Sequence, residues 1–227
     1  MKRSLRCVAL SLFALLLGGR SARAITAGQL DNFQDGTTSG WTNGGLATPV
    51  ANIATGGPAG AGDRYIQVTA NGSGGAGGRL TTFNFTTWSG NFIAAGVISI
   101  QIDLLNQSAV TLSIRLAFQV DLVQNAPGYL TAPMVLAPGS GWRHFTVTLT
   151  SASLIPVGGP AAFSTFFTNI GEVRIIHEVG TSNVNGDPVV GQLGIDNIRA
   201  VPEPTITALL AGSGTLLALN LRRRSRK

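Results

Sequence analysis

Val110-Thr111-Leu112-Ser113-Ile114-Arg115-Leu116-Ala117-Phe118-Gln119-Val120 alternates apolar and mostly polar residues without a break. A period of two puts Val110, Leu112, Ile114, Leu116, Phe118 and Val120 on one face of a strand and leaves the other face polar. Arg143, Phe145, Val147 and Leu149 alternate in the same way with His144, Thr146, Thr148 and Thr150. Further strands are predicted over 64–70, 79–85, 96–105, 172–179 and 191–200, separated by turn-rich breaks at 56–62, 71–78, 137–141 and 183–188. Within residues 25–200 no stretch has helical periodicity long enough to stand alone, and no internal repeat is evident. The expected fold is all-β, with two antiparallel sheets packed face to face as a sandwich.

That sandwich is expected to occupy residues 25–200, a size that suits one domain with its own core. Both flanks read as targeting segments. The chain opens on Met1-Lys2-Arg3-Ser4-Leu5-Arg6, continues through an apolar run at 7–18, and reaches Ala22-Arg23-Ala24. Ala22 and Ala24 are small residues at the two positions that a signal peptidase reads, so cleavage is expected after Ala24, giving a signal peptide over 1–24. The alternative, an uncleaved anchor, is disfavoured by the short apolar run. At the other end, Val201-Pro202-Glu203-Pro204 precedes an apolar run at 205–221 and then Arg222-Arg223-Arg224-Ser225-Arg226-Lys227. An apolar run can enter a bilayer while terminal cations stay on the cytoplasmic side. As a single hydrophobic helix, 206–221 reaches about 24 Å against a hydrocarbon core of about 30 Å. Arginine stems make up part of the shortfall by snorkelling. A marginal span of this kind suits a temporary hold.

The two flanks also account for the charge. The formal net charge of +6 and the pI near 10.7 would by themselves suggest nucleic acid. Five of the 16 Lys and Arg residues lie before Ile25 and five after Pro204, which leaves six against nine acids between Ile25 and Ala200. The domain itself is therefore mildly acidic and lacks the clustered cations that phosphate recognition needs, so nucleic acid is not an expected partner. Cys7, the one cysteine, falls in the leader. Disulfides, thiolate nucleophiles and cysteine metal sites are thereby excluded from the mature chain.

Pro202-Glu203-Pro204, with the apolar run and basic end behind it, resembles the PEP-CTERM sorting signal of bacterial exported proteins. The resemblance covers 201–227. It implies recognition and cleavage near the motif by a membrane transpeptidase, an exosortase, after transient anchoring in the inner membrane. It also implies a final location in the cell envelope, on the cell surface or outside. Asp31-Asn32-Phe33-Gln34-Asp35-Gly36-Thr37, followed by Gly40-Trp41, resembles the first strand of galactose-binding-like jelly rolls, the fold of many carbohydrate-binding modules. Leu193-Gly194-Ile195-Asp196-Asn197-Ile198-Arg199 resembles their last strand, which pairs beside the first. Such modules often hold a structural calcium between these strands. Carried over, its ligands would be Asp31 or Asp35 together with Asp196, completed by loop carbonyls to the six to eight oxygens that Ca²⁺ takes. Asp beside Gly is equally ordinary turn chemistry.

Sugar binding requires aromatic faces open to solvent. Trp41, Trp88, Trp142, Tyr65 and Tyr129 are the candidates; Trp41 reads as core, and Trp88 and Tyr129, in predicted loops, read as the platform. Other motifs carry less. Gly72-Ser73-Gly74-Gly75-Ala76-Gly77 matches G-x-G-x-x-G but leads into a strand pattern, so it reads as a glycine-rich hairpin loop and not as a pyrophosphate site. His144 and His177 lie on different strands, Glu172 and Glu178 have no defined acid–base spacing, and no G-x-S-x-G elbow occurs. Asn71, Asn84 and Asn106 begin sequons in form only. The expectation is a non-catalytic exported surface or matrix protein associated with exopolysaccharide. A calcium-stabilised carbohydrate-binding module is the alternative, with a glycan-active enzyme behind it.

Overall fold

A computed structural model describes residues 24–44, 48–74, 77–123 and 126–204. Ala22, the apolar tail run and Arg222, Arg223, Arg224, Arg226 and Lys227 lie outside the described residues. So does the C-terminal hydrophobic helix expected there.

The described residues form two six-stranded sheets, and every strand pair is antiparallel. The first sheet is built from β1 (Leu30–Asp31), β2 (Ala51–Ile53), β3 (Tyr65–Asn71), β5 (Val97–Asn106), β9 (Trp142–Thr148) and β12 (Val190–Pro202). Its order is β2-β3-β12-β5-β9, with β1 also paired to β12. The second comprises β4 (Thr81–Asn84), β6 (Leu112–Gln119), β7 (Gly128–Thr131), β8 (Met134–Leu136), β10 (Leu154–Val157) and β11 (Glu172–His177). It runs β10-β7-β6-β11-β4, with β8 also on β6. A single helical turn, α1 (Phe163–Phe166), precedes β11. The architecture is the expected all-β jelly-roll sandwich, and the last strand does pair with the first, Leu30 opposite Arg199.

The period-two pattern explains the core. Ile100, Ile102 and Leu104 of β5 face Leu112, Ile114, Leu116 and Phe118 of β6, all buried in one cluster. Each such side chain contributes about 1.5–3 kcal/mol of burial. Two features differ from the sequence reading. First, the strands on either side of the glycine-rich stretch do not pair as a hairpin: β3 ends at Asn71 in the first sheet and β4 begins at Thr81 in the second. Second, the polar face of β6, whose exposure alternation alone leaves open, is covered. Arg115, Ala117 and Gln119 are as buried as their apolar neighbours, and Ala117 joins Leu130, Val157, Ile176 and Val184 in a smaller cluster outside the second sheet. Val184 comes from the segment after β11, which folds back as a roof. Beneath it Arg115 Nη1–H donates to Thr131 O at 2.6 Å, and Arg174 Nε–H donates to Glu172 Oε1 at 2.6 Å.

The ends of the domain are fastened side by side. The Gly28 N–H donates to Ala200 O and the Ala200 N–H to Gln29 O. Pro202 pairs with Val97, and the Glu203 N–H donates to Gly96 O at 3.0 Å. The chain therefore enters and leaves the sandwich at one pole, near the start of β5.

Candidate functional site

The aromatic residues expected to form a sugar platform are not at the surface. Trp88 is 0 % exposed, and its indole N–H donates to Asp31 Oδ2 at 2.7 Å. Trp41 donates to the same oxygen at 2.8 Å, with the two indole centroids 6.0 Å apart. The loop that holds Trp88 turns inward because Asp31 gives both indoles an acceptor. Tyr129 is 7 % exposed; it packs on Phe166 at 4.9 Å and donates its hydroxyl to Ala161 O. Neither ring offers a face to a ligand.

The carboxylates assigned to calcium are likewise engaged. Both oxygens of Asp35 accept from the Thr37 hydroxyl, and Oδ1 also accepts the Thr37 N–H, which holds this exposed carboxyl below its ordinary range. Burial pushes Asp31 up, and the two indole bonds pull it back part of the way. Among the described residues, no group of three or more His, Cys, Asp or Glu side chains could hold a metal ion. Asp31 is bound to two indoles and Asp35 to Thr37, so each belongs to a hydrogen-bond group separate from that of Asp196. Asp196 is a separate case. It is fully buried at a bulge in β12 where Asn197 takes φ 50°, and its Oδ1 accepts the Asn197 N–H. Its Oδ2 has no hydrogen-bond partner among the described residues. Burial, reinforced by Asp63 and Asp103, raises its pKa to about 7.

The outer face of the first sheet brings together a different aromatic pair. Trp142 opens β9 and Tyr65 opens β3, with β12 and β5 between them. Three strand spacings amount to about 14 Å, yet the ring centroids are 5.2 Å apart in an edge-to-face contact. Gly194 of β12 makes the meeting possible. A Cβ there would stand 3.1 Å from Trp142 Cη2 and 3.2 Å from Tyr65 Cε2. The Trp142 indole N–H donates to Gly56 O at 2.9 Å, so the loop between β2 and β3 fixes the ring from the other side. Trp142 stays partly exposed while Tyr65 is buried behind it.

Polar groups flank this ring. Gln67 Nε2–H donates to Gln107 Oε1 at 2.7 Å, and Gln107 Nε2–H to the Tyr65 hydroxyl at 3.2 Å. One row along the sheet, His144 Nδ1 lies 2.7 Å from Asp103 Oδ1, and Asn197 Nδ2–H donates to Asp103 Oδ2. A fixed aromatic face with amide, carboxylate and imidazole groups around it matches what a pyranose presents, an apolar C–H patch ringed by hydroxyls. The sequence carried one signal for Trp142: it shares parity with His144, Thr146 and Thr148, the polar face of β9. Nothing in the sequence marked Gly194 or the approach of Tyr65 across two strands.

His177, Glu178 and Glu172 are committed to structure. His177 Nδ1 accepts the Ser113 N–H, and burial lowers its pKa. Glu178 accepts from Ser182 and Asn183, and Glu172 is bound to Arg174. A cleft of about 550 Å³ at the entry pole, lined by Ala24, Ile25, Gln29, Asp31 and Thr87 among others, contains Asp31 as its one titratable side chain.

No protein-family model matches the chain, and no curated protein matches it. Among solved structures it is similar to an exo-beta-agarase, with 11% sequence identity and a TM-score of 0.54; the match covers 79% of this chain and 25% of the other. The chain thus spans about a quarter of that enzyme's length. A family 11 carbohydrate-binding module from Clostridium thermocellum, solved with a beta-1,3-1,4-mixed-linked tetrasaccharide, is similar at 14% identity and a TM-score of 0.49, over 78% of this chain and 96% of the module. At such identities the likeness is one of fold.

Proposed function

We propose that this chain is a non-catalytic exported protein whose β-sandwich binds polysaccharide through the Trp142 face of its first sheet. The observation that carries this reading is the Tyr65–Trp142 pair, locked over Gly194 and ringed by hydrogen-bonding side chains. The fold of the agarase neighbour is consistent with it. The leader 1–24 would route the chain across the inner membrane and leave Ile25 as its first residue. The tail 201–227 would hold it there until an exosortase-type transpeptidase acts near Pro202-Glu203-Pro204, which delivers it to the envelope, surface or matrix.

The placement of the ends supports this arrangement. Ala24 and Pro204 mark the chain's entry and exit at one pole, while Trp142 pairs with Leu105, eight residues along β5 from Val97. At about 3.3 Å per residue the ring stands about 26 Å from the exit. A domain tethered at that pole would therefore present Trp142 outward.

The test is retention of the purified protein on insoluble polysaccharide, with agarose and the host's exopolysaccharide as probes. Trp142→Ala is expected to weaken retention about tenfold, or about 1.4 kcal/mol, whereas Trp142→Phe keeps most of it. Equal retention of wild type and Trp142→Ala would overturn the assignment of the face. Turnover of either polysaccharide would overturn the non-catalytic reading.

A further inference from the structure

The segment 85–96, which links β4 to β5, is attached to both ends of the domain. On one side the Ile25 N–H donates to Ser89 O at 2.8 Å; on the other the Glu203 N–H donates to Gly96 O at 3.0 Å. Trp88 and Phe92 nail the segment inward, Trp88 through Asp31 and Phe92 through edge contacts to Phe118 and Phe167 at 6.0 and 6.1 Å. With those two rings buried, the segment turns two other large apolar side chains outward. Phe85 is 43 % and Ile93 47 % exposed.

We propose that the 85–96 segment is a membrane-contacting surface, seated through Ile93 and Phe85 in the boundary between lipid headgroups and acyl chains while the tail holds the protein. This inference rests on the anchoring reading above. From Glu203 to Thr205, where the apolar run begins, is two residues, at most about 7 Å of chain. No linker separates the sandwich from the bilayer. The apolar run falls about 6 Å short of the hydrocarbon thickness as a helix, and a short span is accommodated by drawing its flanks toward the membrane. An isoleucine and a phenylalanine held at that depth gain burial that water denies them.

The mature chain has no cysteine of its own, which permits a single-label test. The mature chain, residues 25–227, is reconstituted in phosphatidylethanolamine/phosphatidylglycerol vesicles containing a lipid with a spin label on its acyl chain. An environment-sensitive fluorophore is attached at Ile93→Cys or, as the distant control, at Val190→Cys. Val190 is 70 % exposed at the opposite end of β12 from Pro202. The expected result is a blue-shifted emission at position 93 with at least twofold stronger quenching than at 190. Equal responses from a chain that resists alkaline extraction would overturn the docking and leave the anchoring intact. A chain that alkali extracts from the vesicles would overturn both. Ile93→Asp provides a second readout, since it should lower the protection of Asn91–Ala95 amides from hydrogen exchange in vesicles only; unchanged protection would count against the proposal.

Discussion

Asp31 shows how one side chain settles the fate of two others. Its Oδ2 accepts both buried indole N–H groups, from residues 10 and 57 positions away. Removing it orphans two donors at once, and a buried unsatisfied polar group costs about 1–3 kcal/mol. Asp31→Ala is therefore expected to lower stability by about 2–5 kcal/mol, and Asp31→Asn, which keeps one acceptor, by less; urea unfolding followed by Trp fluorescence measures both. Asn84 acts in a similar way nearby. Its Oδ1 accepts the N–H groups of Thr86, Thr87 and Trp88, so the side chain of that sequon is fully buried structure. Neither role was legible locally: Asp31 reads as a turn residue or a metal ligand until its partners are placed.

At the scale of elements, β6 and β11 carry the clearest departure from their patterns. Alternation in β6 correctly set its core face, and the register Val173–Phe118 follows from it. The opposite face reads as polar because it holds Arg115 and Gln119, and the segment after β11 roofs it. Under that roof burial pushes the Glu172 carboxyl up, opposed by the Arg174 charge and hydrogen bond. Breaking a buried pair leaves an uncompensated charge and costs about 3–5 kcal/mol, whereas replacing both partners with apolar groups is often neutral. Glu172→Leu alone is expected to destabilise by about that amount. Adding Arg174→Met should recover most of the loss, read as a coupling energy from thermal unfolding of the two single variants and the double. Additive losses would show that the pair is not energetically coupled.

For the whole molecule, the pH dependence of stability follows from Asp196. In the unfolded chain its pKa is near 3.8, and in the folded protein it is about 7. Below the lower value it is protonated in both states. Between the two, the folded protein keeps a proton that the unfolded chain has released. Stability therefore falls as pH rises through this window, by up to about 1.4 kcal/mol per pH unit. Asp196→Asn should remove that slope and raise the melting temperature above pH 7 relative to wild type. Melting curves of both proteins at pH 5, 6, 7 and 8 check this, and parallel curves would refute it. The mildly acidic balance of the domain, with Asp63 and Asp103 close to Asp196, acts in the same direction.

Sequence alone settled the two-sheet architecture, the core faces of the long strands and the lack of cysteine over residues 25–200. These follow from period and composition, which are local properties of the chain. Tertiary structure decided which aromatics are open to solvent. Trp88 is drawn inward by an acid far away in sequence, and Trp142 is held outward by Tyr65 across two strands and by a glycine whose missing Cβ leaves room. Alternation says which residues share a face of a strand; only packing says what covers that face.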